Sequence, residues 1–320
     1  MMKRWLVLAV SATGLMTGPR AVAADAAKEV RIGYQAASTI VLLGKGKGFY
    51  EQEFGKDGTK VTFSLFLSGP PMIEALAGGR LDIIHTGDMP PVTGRAAGID
   101  LKVVANAGLD PAHNAVLVSP ASAIKTPADL KGKKVAVQVG SSAHHFLFLL
   151  LAKNGLKPAD IQVVNLPGPE LANALETGKV DAIGSWEPFT ANIELSGKGR
   201  VLADSTNIKR AVNVYIARND FGRENPQLVE RFLKATKRAI DYLQEHPKEG
   251  QVAIAAESKF PVAVVARITQ RYAWSLDIAD SDVKALERVK DFLRETKVLR
   301  KEFDISDLFD LSYLRRTGLK

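Results

Sequence analysis

The 320-residue chain contains no cysteine. That absence excludes disulfides, thiolate metal sites, cysteine nucleophiles and iron–sulfur clusters together. Long hydrophobic runs are also missing: no segment approaches the ~20 apolar residues that a membrane-spanning helix requires. Concentrated charge is missing as well. The 43 Lys+Arg against 35 Asp+Glu leave a formal +8, yet no basic tract is longer than Lys133-Lys134 or Arg315-Arg316. Nucleic-acid binders gather their basic residues on one element or stripe, so no nucleic-acid partner is expected. The surplus reads either as a mildly attractive field for anionic solutes or as an unspecific basic surface. What is present is ordinary globular composition, 46% hydrophobic and 24% charged, on a chain long enough for about two domains.

The first 24 residues read as an export signal. Lys3 and Arg4 form a positive start, a short apolar stretch runs to Met16, Gly18 and Pro19 break it, and Ala21-Val22-Ala23 supplies a small-x-small cleavage pattern. With no cysteine after the apolar stretch, a lipid anchor is excluded. The expected destination is the periplasm, as a soluble monomer.

The remainder alternates short β-rich runs with helical stretches opened by Ser, Asp or Pro, the α/β pattern. Strands are expected at 30–34, 60–67, 81–85, 101–107, 115–118, 134–137, 161–165, 181–185 and 212–218. From Pro226 the chain turns helical, with Leu228, Phe232, Ala235, Ala239 and Leu243 on one apolar face. Further helices are expected at 251–257, 262–274 and 282–295.

One internal echo organises this pattern. Glu74-Ala75-Leu76-Ala77-Gly78-Gly79-Arg80-Leu81-Asp82-Ile83-Ile84 is answered 99 residues later by Asn173-Ala174-Leu175-Glu176-Thr177-Gly178-Lys179-Val180-Asp181-Ala182-Ile183. Each copy reads as a helix end, a glycine terminator, a cation and a buried strand. The echo continues: His85-Thr86-Gly87-Asp88-Met89-Pro90 stands opposite Gly184-Ser185-Trp186-Glu187-Pro188. Two equivalent lobes offering strand-to-helix junctions to a shared cleft are expected.

In open α/β sheets, ligands sit beyond the carboxyl ends of the strands. Four such ends here suit an anion: Leu67-Ser68-Gly69-Pro70-Pro71, His85 to Pro91, Val139-Gly140-Ser141-Ser142-Ala143-His144, and Gly184 to Pro188. Glycine admits a ligand to the backbone, proline fits a first helical turn, and Ser or Thr brings a hydroxyl. Free amides and the dipole at a helix start complete a pocket for negative charge.

These stretches resemble the substrate-binding proteins of ATP-binding-cassette importers, in particular the aliphatic-sulfonate-binding branch, whose relatives take taurine, nitrate and thiamine precursors. The resemblance rests on Gly33-Tyr34-Gln35, GPPMIEAL at 69–76, LDIIHTGDMPP at 81–91, IKTPADLKG at 124–132, KVAVQVGSSAH at 134–144 and VDAIGSWEPF at 180–189. It implies an α/β, two-lobed periplasmic-binding-protein fold of type II with two chain crossings and a helical C-terminal part. The crossings would fall near 118–122 and 207–212. One lobe would then be 25–118 with 212–320, the other 119–211.

The resemblance further implies a sulfur-acquisition function: an alkanesulfonate or similar organic anion is bound between closing lobes and handed to an inner-membrane permease. The implied ligand residues are Gln35, Ser68, Thr86, Gly87, Asp88, Gly140, Ser141, Ser142 and His144, with Trp186 and Glu187 lining the organic tail. Asp88 is awkward beside an anion. It either caps its own helix or meets a cationic group on a zwitterionic ligand. No metal or cofactor is expected, since adjacent His144 and His145 face different directions without carboxylates at ligand spacing. His85, His113 and His246 receive no role.

An enzyme is not expected. No nucleophile turn or Ser/His/Asp order appears, and the thiamine-precursor-forming enzymes of this fold depend on a cysteine-rich motif. A regulator's effector domain would need a DNA-binding helix pair in front. Taurine, nitrate or another small oxyanion remains the alternative ligand.

Overall fold

The structure, a computed structural model, describes residues 27–319. The expected export signal at 1–24 lies outside the described residues. In chain order the strands are β1 (Glu29–Tyr34), β2 (Lys60–Leu65), β3 (Ile83–Gly87), β4 (Leu101–Leu109), β5 (Asn114–Val118), β6 (Lys134–Val137), β7 (Gln162–Asn165), β8 (Ala182–Trp186), β9 (Arg200–Asp204) and β10 (Val212–Arg218). They form two five-stranded mixed sheets, ordered β2-β1-β3-β10-β4 and β7-β6-β8-β5-β9. In the first, β1 runs parallel to β2 and β3, while β10 is antiparallel to β3 and β4. The second repeats this scheme, with β6 parallel to β7 and β8, and β5 antiparallel to β8 and β9.

The sequence echo is a structural one. Helix Gly69–Ala77 and β3 correspond at 99 residues to helix Gly168–Glu176 and β8. The helix-ending glycines match too, Gly79 and Gly178 both having φ of 66°. That left-handed conformation is inexpensive only without a Cβ.

Two expectations are corrected here. Strand β5 belongs to the second sheet, with Asn114 opposite Trp186 and Val118 opposite Ala182. The chain therefore first passes between lobes at 110–113, between β4 and β5, rather than near 118–122, and returns at 205–211. An apolar run such as Ala115–Val118 suits a buried strand of either sheet, and only its cross-strand partners decide the lobe. Strand β9 was not foreseen. It is a short edge strand whose five residues are all half-buried, so it shows neither alternation nor a continuous apolar run.

Each sheet is covered on both faces. One side of the first packs on helices Thr39–Gly46 and Pro226–Glu245 through Val30, Ile32, Ile40, Tyr215, Phe232 and Leu243. The other packs on helices Gly69–Ala77, Met89–Ala96 and Asp280–Glu295 through Met72, Leu76, Ile84, Val92, Leu286 and Val289. The second lobe closes around Val116, Val137, Phe146, Leu150, Leu171 and Ile183. The apolar face foreseen on Pro226–Glu245 is wholly buried. The two later helices differ in extent from expectation, running Pro247–Ser258 and Val262–Arg271.

The lobes also meet directly. Ala191 of helix Phe189–Leu195 packs on Val264 and Ile268 of helix Val262–Arg271, with Arg267 paired to Glu194 alongside. On the opposite flank Phe292 packs against the rings of His145 and Phe148, 4.9 and 5.7 Å away.

Candidate functional site

The carboxyl ends of β1, β3, β6 and β8 converge on a cavity between the lobes. It is lined by Gln35, Ala37, Gly69, Gly87, Pro90, His113, Ser141, Ser142, Trp186 and Asn213. Five of the expected residues, Gln35, Gly87, Ser141, Ser142 and Trp186, thus line one cavity, the first two from one lobe and the other three from the other. Each is placed by the end of a strand or the start of a helix. Ser141 caps helix Ser142–Lys153, its Oγ accepting from the His144 amide at 3.2 Å. Ser142 Oγ is buried and has no partner among the described residues, which in a lined cavity marks a donor kept for something else. Gly87 is required by close approach: a Cβ there would stand 2.2 Å from Ser142 Oγ. A side chain at Gly87 would displace the Ser142 hydroxyl from its position in the cavity.

No charged side chain lines this cavity, since burial holds the His113 imidazole neutral, with a pKa near 3. Pro70, Pro71 and Pro90 contribute no N–H, so the available donors are side-chain hydroxyls and amides, the one N–H of the neutral His113 ring and the remaining first-turn amides. Such a site satisfies the oxygens of an anion while leaving no fixed cation to hold it.

Six expected residues sit elsewhere than foreseen. Thr86 donates its hydroxyl to the Gly87 carbonyl at 2.9 Å, so its proton is already used. Ser68 precedes helix Gly69–Ala77, buried behind Gly69. Gly140, with φ of 82°, borders a separate apolar groove together with His144, Phe148 and Phe292. His144 points into that groove. Its ring lies 4.6 Å from that of Phe148, and its Nδ1 accepts from the Gly140 amide at 3.4 Å.

Asp88 neither caps its helix nor faces the cavity. Its Oδ2 lies 2.6 Å from Nζ of Lys209, and the two side chains are 0% and 3% exposed. Lys209 comes from the 205–211 passage and also donates to Asn114 Oδ1 at 3.2 Å. Glu187 is likewise engaged. One oxygen accepts from the Ala191 amide at 3.0 Å, and the other pairs with Arg271, which also binds Asp110 at 2.9 Å. Burial raises the Glu187 pKa and Arg271 opposes the rise. Asp88, awkward beside an anion, and Glu187, expected at the organic tail, are thereby both engaged by cations far away in the chain. Trp186 has two functions at once. It lines the cavity, but at 5% exposure it also packs edge-on to Phe189, with 5.5 Å between ring centroids, within the second-lobe core.

His113 and Asn213 were missed by the sequence reading. His113 lies in the 110–113 passage and Asn213 in β10, neither within a glycine- or serine-rich junction, and no local signal marks them.

Among proteins of known sequence, a Bacillus subtilis protein named as aliphatic sulfonates-binding is 33% identical over 98% of this chain and 97% of its own length. An Escherichia coli protein of the same description is 35% identical over 89% and 90%. Among solved structures, the alkanesulfonate-binding protein SsuA from Xanthomonas axonopodis pv. citri, bound to MOPS, superposes with a TM-score of 0.82. It is 30% identical and covers 90% of this chain and 99% of that one. The desulfurization enzyme DszB, 16% identical with a TM-score of 0.70, shares the fold alone. The NMT1/THI5-like family model matches residues 35–250, so the chain belongs to the NMT1/THI5-like family, and it is similar along most of its length to the two aliphatic sulfonates-binding proteins.

Proposed function

We propose that this protein is the periplasmic solute-binding component of an ATP-binding-cassette importer, a monomer that captures aliphatic sulfonates between its lobes and delivers them to an inner-membrane permease. The observation that carries this reading is the cavity of neutral donors, with Ser142 Oγ buried and unpartnered and both nearby carboxylates engaged elsewhere. A sulfonate is a permanent monoanion with three acceptor oxygens and no proton to donate. Donors without a fixed cation can hold it and still release it, because no desolvated ion pair has to be broken. The MOPS in the Xanthomonas protein carries a sulfonate on a propyl chain, which is the same chemistry.

Calorimetric titration with methane-, butane- and pentanesulfonate, taurine, sulfate and nitrate tests this directly. Butanesulfonate should bind more tightly than sulfate or nitrate, and the reverse order would overturn the reading. The double variant Ser141→Ala, Ser142→Ala should lose ~2–4 kcal/mol of sulfonate affinity, since hydrogen bonds to a charged group are worth roughly 1.5–3 kcal/mol each and are not fully additive. Its folding stability should fall by only about 1 kcal/mol, the worth of the Ser141 cap. Wild-type affinity in that variant would leave Ser141 a helix cap only and Ser142 without a ligand contact.

Trp186 covers the organic tail in this reading. Affinity should rise along the alkyl series by up to ~0.8 kcal/mol per methylene buried. Trp186→Phe keeps an aromatic ring in the second-lobe core and should flatten that slope. An unchanged slope would make Trp186 a packing residue only.

A further inference from the structure

We infer, building on the sulfonate reading above, that His113 donates its Nε2–H to an oxygen of the bound anion and that Tyr272 holds the ring in the tautomer that makes this possible. His113 is 3% exposed, and its ring forms part of the cavity wall. Its Nδ1 lies 2.5 Å from the Tyr272 hydroxyl. Its Nε2 has no partner among the described residues.

The direction of the Nδ1 contact follows from counting donors. Asn213 Nδ2 lies 3.5 Å from the Gly108 carbonyl, which can only accept, so the amide nitrogen is the end facing that way. The same nitrogen lies 3.4 Å from Tyr272 Oη. Tyr272 Oη therefore accepts a hydrogen bond from Asn213 and donates its own O–H to His113 Nδ1. In the other tautomer Nδ1–H would donate to Oη, and the phenolic proton would have no acceptor among the described residues, at the cost of an unmade buried hydrogen bond. Nε2 would then also aim a lone pair at an anion. With Nδ1 accepting, Nε2 carries the hydrogen and becomes a donor.

The supporting frame is rigid. The His113 and Tyr272 rings meet edge to face at 5.9 Å, and Tyr272 stacks on Trp274 at 4.5 Å. The His113 carbonyl accepts from the Glu187 amide at 3.0 Å, tying the ring's backbone to the Trp186 turn of the second lobe. A donor at this point contacts the anion from the passage between lobes, whereas Ser141 and Ser142 contact it from a helix start. Tyr272 acts only through His113 and is a positioning residue.

Two measurements on the full protein decide the matter. In a ¹⁵N–¹H multiple-bond NMR spectrum, His113 should be protonated at Nε2 in the wild type, and Tyr272→Phe should show mixed tautomers. In calorimetric titrations with butanesulfonate, His113→Ala should bind roughly 10- to 150-fold more weakly, the range for a lost hydrogen bond to a charged group. His113→Gln, whose amide nitrogen reaches near the Nε2 position, should recover most of that loss. Tyr272→Phe should weaken binding in the wild-type background and change nothing in the His113→Gln background, a dependence that a purely structural tyrosine would not show. Protonation at Nδ1 in the wild type, or His113→Ala binding butanesulfonate as tightly as the wild type does, would overturn the inference. Failure of the wild type itself to bind any alkanesulfonate would instead overturn the sulfonate reading and the donor function with it, while the NMR result would still decide the tautomer.

Discussion

Lowering the pH from 7 to 5 should bring this protein close to unfolding, the protons taken up per molecule unfolded rising from about one at pH 7 to nearly four at pH 5. Four histidines are buried or nearly so and are held neutral by burial: His85 at about 4, His113 at about 3, His144 at about 4 and His145 at about 3. In the unfolded chain each titrates near 6.5. Their folded-state values lie below that, so the stability they permit is present above pH 6.5 and is lost as the pH falls toward about 4 for His85 and His144 and about 3 for His113 and His145. Between those limits the unfolded state binds the extra protons, and each histidine contributes a slope of up to ~1.4 kcal/mol per pH unit. At pH 5 the loss is about 2 kcal/mol per histidine, so the four together rival the roughly 5–15 kcal/mol by which a protein is folded at all. Urea unfolding at pH 7, 6 and 5 measures this. Equal unfolding free energies at pH 7 and pH 5 would rule it out. His145, whose Nδ1 has no partner among the described residues and whose ring packs on Phe292, is the cleanest single test: His145→Leu should remove about a quarter of the slope.

Replacing Lys209 by methionine should destabilise the fold by about 3–5 kcal/mol, because it leaves the buried Asp88 carboxylate without its cation. Asp88 is wholly buried, and Lys209 Nζ at 2.6 Å is its only ion-pair partner among the described residues. Burial lowers the lysine pKa, and Asp88 works against that lowering. Neither charge is comfortable there without the other. The combined change Asp88→Asn, Lys209→Met removes both charges and should regain most of the loss, since an apolar or neutral replacement of a buried pair is often close to neutral. Chemical denaturation of the two variants distinguishes the cases. A double variant as unstable as Lys209→Met alone would mean that the lysine acts through its packing and its bond to Asn114 rather than through Asp88.

Lys209 also shows where the sequence stopped being informative. Asp88 stood out at once, as a carboxylate at the start of a helix in an expected anion site, but its partner is 121 residues away with no motif around it. The same holds for Glu187 and Arg271, and for His113 with Tyr272. Thr86 and His144 belonged to recognisable motifs and still turned away, one toward its neighbour's carbonyl and one toward Phe148. Motifs locate backbone; they do not orient side chains.

From sequence alone came everything that repeats locally or pairs at a constant interval: the α/β alternation, the amphipathic Pro226–Glu245 helix, the duplicated βα unit at 99 residues and the four strand ends that could receive an anion. Hydrophobic period and turn chemistry act over a few residues, so they can be read from a few residues. The tertiary structure alone decided which sheet takes β5, that half-buried β9 is a strand, and which cations neutralise the two carboxylates. It also showed that a histidine in the passage between lobes joins two serines at the cavity wall. Those outcomes depend on side chains brought together from distant parts of the chain, where partner and burial, rather than neighbouring residues, set the energy.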